Sequence, residues 1–339
     1  MKKILVTGGA GYIGSHTVVE LFAAGYEPVI VDDLSNSNSK IIDQIEKISG
    51  KRPSFTVLDL CDINAVNDFV AANSDIDGVI HFAAFKAVGD SVREPLKYYY
   101  NNFYSLINVL RAFNSAIKFV FSSSCTVYGQ PDELPVTESS PVKKAQSPYR
   151  NTKQVAEEIL QETCSVSPDL QVITLRYFNP VGAHASAMIG ELPIGVPQNL
   201  VPLITQSAIG KRGAITVHGD DYNTPDGSAI RDYIHVVDLA KAHVAAIKRL
   251  SAPQESNYEV FNIGTGKGSS VLEIVNAFEK STGEKLNYTI GKRRGGDVEQ
   301  VYGDVTLSNT VLGWKAELGI EDMMRSAWEW EKYLKNNPF

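Results

Sequence analysis

Cysteine is scarce in this chain. Cys61, Cys125 and Cys164 are odd in number, widely spaced and without a CxxC pair. That excludes a disulfide framework and fits a reducing cytoplasm, the expected location. Only six histidines occur, none in HxxxH or HExxH spacing, so no metal site is expected. Long apolar runs are also missing. No stretch of eighteen apolar residues follows the short MKKILVTGG opening, so neither a membrane span nor a secretory leader is expected. Charge of one sign is never concentrated: the net charge is −7 with acids and bases mixed, which argues against nucleic acid as a partner.

Short β-branched runs alternate with helical patterns through the first half, the signature of βαβ units around a parallel sheet. Strands are expected at Lys3–Thr7, Pro28–Asp32, Ser54–Leu58, Gly78–Phe82, Lys118–Ser122 and Gln171–Arg176. Their near-continuous hydrophobicity suits strands covered on both faces. Helices are expected from Tyr12 to a stop at Gly25, from Pro95 onward, and from Ser147 to about Glu162. After Phe178 the Gly- and Pro-rich stretch NPVGAHASAMIGELPIGVPQN reads as a long functional loop. The fold class is therefore a Rossmann-type doubly wound α/β sheet with a smaller mixed α/β C-terminal part. A boundary is expected near residue 180, with chain from about 232–264 returning to the sheet through YEVFNIG.

In VTGGAGYIGSH, Gly8, Gly11 and Gly14 follow the first strand and open a helix. A β-carbon there would block the tight turn, the approach of a pyrophosphate, or helix–strand packing. The helix N-terminus then offers free N–H groups to phosphates. Asp32 ends the next strand, placed to bond adenosine ribose hydroxyls. A carboxylate repels a 2′-phosphate and no Arg follows in DDLSNSNSK, which favours NAD over NADP. Asp59 and Leu60 either hold the adenine or form a helix-capping turn.

Tyr149 and Lys153 are four apart on one helix face, and Ser122, Ser123 and Ser124 end a strand, where ligands of parallel sheets sit. A free tyrosine with pKa about 10 is a feeble base. A lysine ammonium about 4 Å away contributes roughly 4 kcal/mol at an effective dielectric of ~20, or about three pKa units. Tyr149 is thus expected to become a base near neutral pH. Ser124 is expected to bridge a substrate hydroxyl and the phenol, and Lys153 to bond a ribose as well.

VTGGAGYIGSH, HFAAFKAVG, FSSSCTVYG, the Tyr149–Lys153 pair, LRYFNPVGAH, the Gly190–Leu200 loop and RDYIHVVDLA resemble the extended short-chain dehydrogenase/reductases. In this order and at these separations they resemble the UDP-glucose 4-epimerase group of that family, over essentially the whole chain. Ala84 in place of the usual glycine, Cys125 in place of alanine, and Arg150–Asn151 depart from the pattern without removing a catalytic group. The resemblance implies that Tyr12, Ile13, Asn36, Phe82, Ala83, Lys86, Asn101 and Phe178 also line an NAD site in residues 1–180. It further implies that Asn179, Asn199, Leu200, Arg231, Arg294 and Asp297 hold a uridine diphosphate sugar, mainly within 181–339. Arg forks and amide donors suit a diphosphate, and Asp297 suits ribose hydroxyls. His218 lies either near the uracil or packed in a strand. Val301, fourth after Asp297, either opens room for an N-acetyl group at sugar C2 or packs in the core while Tyr302 closes the site. A homodimer through helices near Pro95–Ser115 and Ser147–Glu162 is implied in the same way. The implied reaction is C4 epimerisation through a 4-keto sugar. A nucleotide-sugar 4,6-dehydratase would need an Asp-Glu pair where Cys125 and Thr126 stand, and a non-catalytic NAD-binding regulator would not need Tyr149 and Lys153.

Overall fold

The computed structural model describes residues 1–114, 116–295 and 297–339, so the Ser115 end of the expected dimer helix lies outside the described residues. The first half alternates β1 (Lys3–Thr7), α1 (Tyr12–Ala23), β2 (Glu27–Asp32), α2 (Lys40–Ser49), β3 (Ser54–Val57) and α3 (Ile63–Ala72). It continues with β4 (Ile76–His81), α4 (Val88–Arg93), α5 (Pro95–Ala112), β5 (Lys118–Ser122), α6 (Pro148–Val166) and β6 (Gln171–Tyr177). Then come β7 (Asn179–Val181), α7 (Leu200–Ala208), β8 (Ile215–His218), β9 (Ile230–His235), α8 (Val236–Arg249), β10 (Tyr258–Ile263) and β11 (Gly268–Ser270). The last elements are α9 (Val271–Thr282), β12 (Tyr288–Gly291), β13 (Gln300–Val301), α10 (Thr306–Thr310) and α11 (Ile320–Asn336).

Seven strands form one parallel sheet in the order β10-β6-β5-β4-β1-β2-β3. The order reverses direction between β1 and β4, which opens a crevice at the carboxyl ends of the strands. Alternation of side chains explains why β1 is apolar throughout. Ile4 and Val6 pack with α1 and α8 on one face, while Leu5 packs with Leu106 and Val109 of α5 and Leu160 of α6 on the other. Tyr258–Ile263 forms β10 beside β6 in this sheet.

Helix α1 stops two residues before Gly25, whose φ of +82° makes a left-handed cap. Tyr26 N donates to Leu21 O (3.0 Å) and Gly25 N to Phe22 O (3.1 Å). Helix α6 runs one turn beyond the expected Glu162 because Cys164 is buried and its carbonyl accepts from Asn257 Nδ2 (2.7 Å). The stretch after Phe178 is not all loop. Asn179–Val181 pairs in register with Tyr233–His235, so β7 joins a small sheet of β11, β9 and β13.

Candidate active site

The glycine-rich turn is closed by sterics. Gly8 holds φ +69°, and a Cβ on it would stand 3.0 Å from Ala83 N. On Gly14, a Cβ would stand 2.3 Å from the Gly8 carbonyl oxygen and 2.8 Å from Gly9 Cα. Gly11 caps α1 with no side chain, which leaves the first-turn N–H groups near Tyr12, Ile13 and Gly14 without a side-chain acceptor. The Tyr12 hydroxyl is occupied elsewhere, donating to Gly182 O (2.7 Å).

Asp32 is buried at the end of β2 beside this turn. Its Oδ2 accepts from Ala10 N (3.0 Å), and Oδ1 accepts from Leu34 N (3.0 Å) and Ser37 Oγ (2.7 Å). Burial raises its pKa and these bonds oppose the rise. Oδ2 keeps a lone pair for a further donor. Asn36 is exposed on the same loop. The capping alternative at Asp59 falls to Asp62, which accepts from Asn64 N and Ala65 N. Asp59 instead folds the preceding turn through Cys61 N (2.8 Å), and Leu60 is buried behind it. Phe82 follows β4, its N–H on Thr7 O (3.1 Å). Asn101 Nδ2 donates to Asn102 Oδ1 (3.0 Å) on α5. The Phe178 ring fills the space against Gly303 and Gly264, where a Cβ would meet it at 2.5 and 2.9 Å.

Tyr149 and Lys153 lie on the first turns of α6, started by the Ser147 cap and Pro148. They are 8 % and 6 % exposed. Lys153 Nζ donates to Ser122 O (2.7 Å) and stands 4.8 Å over the Phe121 ring. Burial lowers its pKa to about 8, opposed by Glu157. The electrostatic expectation for Tyr149 needs correcting. Burial dominates and pushes the phenol far above its ordinary value, with the Ser124 hydroxyl acting in the opposite direction. The desolvation of a phenolate outweighs what four-residue spacing suggests, because the ammonium is turned toward the Ser122 carbonyl. Ser124 Oγ accepts from Thr126 N (3.2 Å), and burial raises the neighbouring Cys125 thiol to about 12.

On the other side of the crevice, Arg231 of β9 is in register with Val301 of β13, and its charge reaches Cys125. Val301 packs with Cys125 and Phe178. The Tyr302 ring lies against Gly268, 3.0 Å from where a Cβ of that residue would be. Val301 is itself buried in that apolar cluster. Asn199 precedes α7 and Leu200 opens it. Asn199 Nδ2 donates to Glu191 Oε1 (2.7 Å), which also sits 3.5 Å from Lys86 Nζ. Asn179 begins β7. Arg294 and Asp297 bond each other through two contacts (2.9 and 3.1 Å). His218 ends β8, exposed, and its Nδ1 lies 3.3 Å from Lys292 O, so the packed-strand alternative does not hold. Sequence reasoning missed Glu191, Glu157 and Arg176. Only Glu157 left a signal, as the third member of a four-residue repeat with Tyr149 and Lys153.

Comparison with known proteins places the chain in a family. The profile of the GDP-mannose 4,6 dehydratase family matches residues 5–327. The chain is 48% identical to a UDP-glucose 4-epimerase of Drosophila melanogaster, covering 98% of this chain and 97% of that one. It superposes on a UDP-glucose-4-epimerase from Stenotrophomonas maltophila, solved with bound NAD and formylated UDP-arabinopyranose, with a TM-score of 0.95, 45% identity and 99% of each chain covered. A Bifidobacterium longum UDP-glucose 4-epimerase in complex with NAD+ and UDP gives a TM-score of 0.93 at 44% identity, again over 99% of each chain. With a glycine turn, a Tyr–Lys helix and a serine strand end on one sheet edge, and likeness over nearly every residue, the chain belongs to the UDP-glucose 4-epimerase family of the extended short-chain dehydrogenase/reductases.

Proposed function

We propose that this protein interconverts UDP-glucose and UDP-galactose by inverting C4 through a 4-keto sugar, with NAD as resident cofactor. The observation that carries this reading is Tyr149 beside Ser124 on a helix whose Lys153 is bonded to the end of β5. NAD fits the residues present: a β-carbon at Gly8, Gly11 or Gly14 would meet backbone within 3.1 Å, so the turn stays tight, and α1 opens at Gly11 with no side chain on its first N–H groups, which suits a pyrophosphate. Asp32 would hold the adenosine ribose, with Asn36, Asp59 and Leu60 at the adenine end. Phe82, Ala83, Lys86, Asn101, Ser122, Lys153 and Phe178 would surround the nicotinamide half. When bound, NAD supplies a hydride acceptor and donor for C4.

The chain's own part is proton traffic and orientation. Tyr149 takes the C4 hydroxyl proton and later returns it, while Ser124 holds that hydroxyl against the phenol. Because burial favours the neutral phenol, Tyr149 gives up its proton only where positive charge stands close, and Lys153 is the chain's source of it. Asn179, Asn199, Leu200, His218, Arg231, Arg294 and Asp297 would grip the UDP moiety at one end and leave the sugar free to turn. The division of labour follows: NAD on residues 1–180 with 232–264, and the nucleotide sugar mainly on 181–339. A 4,6-dehydration needs an additional acid and base. Thr126 is not acidic, and the buried Cys125 thiol at about 12 keeps its proton at neutral pH.

Val301 supports a broader substrate range. It is small, and it packs beside Cys125 and Phe178. The test is NMR of products from UDP-galactose and UDP-N-acetylgalactosamine. Wild type converts both, whereas Val301→Tyr loses the acetylated reaction by at least about a hundredfold and keeps the other within about threefold. Failure to convert UDP-galactose overturns the function itself, and wild-type rejection of the acetylated sugar overturns the gate.

A second copy of this chain is the proposed partner. Val92, Leu96, Tyr100 and Tyr104 recur every four residues along α4 and α5, and they are 61%, 81%, 54% and 49% exposed. Such an apolar stripe is too continuous for scattered surface residues. Sedimentation is expected to give a dimer for wild type and a folded monomer for the Leu96→Lys/Tyr100→Lys double variant. No helix among the described residues is long and apolar enough to cross a membrane. A cytoplasmic location belongs to the same reading, in keeping with Cys61, Cys125 and Cys164 being free.

A further inference from the structure

Helix α6 turns three side chains, each four residues from the next, toward the end of β5. Tyr149, Lys153 and Glu157 are all at most 8% exposed. They meet three consecutive residues of one strand end. Tyr149 faces the Ser124 hydroxyl, Lys153 donates to the Ser122 carbonyl, and Glu157 accepts from the Ser123 hydroxyl. The Glu157 carboxylate is saturated from its other side by Arg176 of β6, whose Nε lies 3.1 Å from both oxygens and whose Nη2 lies 2.6 Å from Oε2. Arg176 Nη1 in turn donates to Tyr128 Oη (3.1 Å) and Glu138 O (3.1 Å), and Tyr128 Oη donates to Asn262 Oδ1 (2.7 Å) on β10.

A buried ion pair is a poor device for stability alone, because desolvation of both charges offsets their attraction. Its placement here serves the neighbouring helix turn. We propose, resting on the epimerase reading above, that Glu157 is a positioning residue: it locks α6 to the Ser122–Ser124 strand end and fixes the Lys153 ammonium at the Ser122 carbonyl, one helical turn from Tyr149. The titratable groups around this stretch are Tyr149 and Glu157 on α6, Cys125 after β5, His81 on β4, Arg176 and Tyr177 on β6, and Tyr258 on β10. His81 is held neutral by burial, at about 3, and the tyrosines and Cys125 are held protonated. Glu157 is therefore the anion that Lys153 feels. Its charge raises the Lys153 pKa against burial, so removing it lowers that pKa and the ammonium is lost at lower pH.

Glu157→Gln keeps the shape and removes the charge. Its kcat at pH 8.5 is expected to fall about tenfold with KM nearly unchanged, and the alkaline limb of kcat to move down by about one pH unit. Glu157→Asp restores the wild-type limb. Carbon NMR titration of ε-labelled lysines, with Lys153 assigned through Lys153→Arg, shows the same downward displacement without substrate. If Glu157→Gln does not fold, Glu157→Gln/Arg176→Gln removes both buried charges and is read in the same way. A limb and a Lys153 titration both unmoved in the folded variant overturn the proposal, whatever happens to kcat or thermal stability. A wild type inactive on UDP-galactose overturns the epimerase reading instead, and the lysine titration still decides the role of Glu157.

Discussion

Tyr149→Phe is expected to lower kcat for UDP-galactose by about a thousandfold, in the middle of the range for losing a positioned acid–base group. The phenol is buried at the head of α6 beside the Ser124 hydroxyl, and in the proposed reaction its oxygen is the atom that exchanges a proton with the sugar hydroxyl. Phenylalanine fills the same volume, so packing around the ring survives. The unfolding midpoint should stay level or rise slightly, because a buried hydroxyl no longer needs compensation for lost hydration. Dinucleotide stoichiometry, read by absorbance after denaturation, should equal that of wild type. A folded variant retaining more than about a tenth of the wild-type rate would remove Tyr149 from the chemistry.

The second large effect is expected at Gly14. One methyl group there would stand 2.3 Å from the Gly8 carbonyl oxygen and 2.8 Å from Gly9 Cα, and both contacts are backbone. No side chain can swing aside, so Gly14→Ala must push α1 away from the turn or break the turn. Either movement displaces the helix N-terminus from where the proposed NAD site puts the pyrophosphate. NAD retention is expected to fall by at least about a hundredfold, roughly 2.7 kcal/mol, and the melting temperature by several degrees. Gel filtration followed by NAD assay of the eluted protein reads the first, and calorimetry the second. A variant that keeps stoichiometric NAD at low micromolar protein would mean that the turn is not the phosphate cradle.

Much of this was legible from residue order. The strand limits at Lys3–Thr7 and Lys118–Ser122 coincide with their apolar runs, because a strand covered on both faces leaves no room for polar residues. Gly25 and Pro95 mark helix ends for conformational reasons that act within a few residues. The short strand at Asn179–Val181 was not legible, since three residues carry no periodicity and only their partner Tyr233–His235 makes them a strand. Nor was the protonation state of Tyr149. Spacing placed it near Lys153, but burial depends on side chains from several elements and reverses the direction of the shift. Glu157 and Arg176 are paired across a helix and a strand, so either alone looks like an ordinary surface charge.

The position of β10 at the sheet edge sets a timetable for the nascent chain. β6 is synthesised well before its outer neighbour, with β7, α7, β8, β9 and α8 made in between. At about 5–20 residues per second, the outer edge of β6 has no partner strand for several seconds after it leaves the ribosome. Its alternate residues Val172, Thr174 and Arg176 and their neighbours Ile173 and Leu175 are all buried once β10 docks. Until then this edge is a template for any passing strand, and the unfinished chain is most vulnerable to misassembly there.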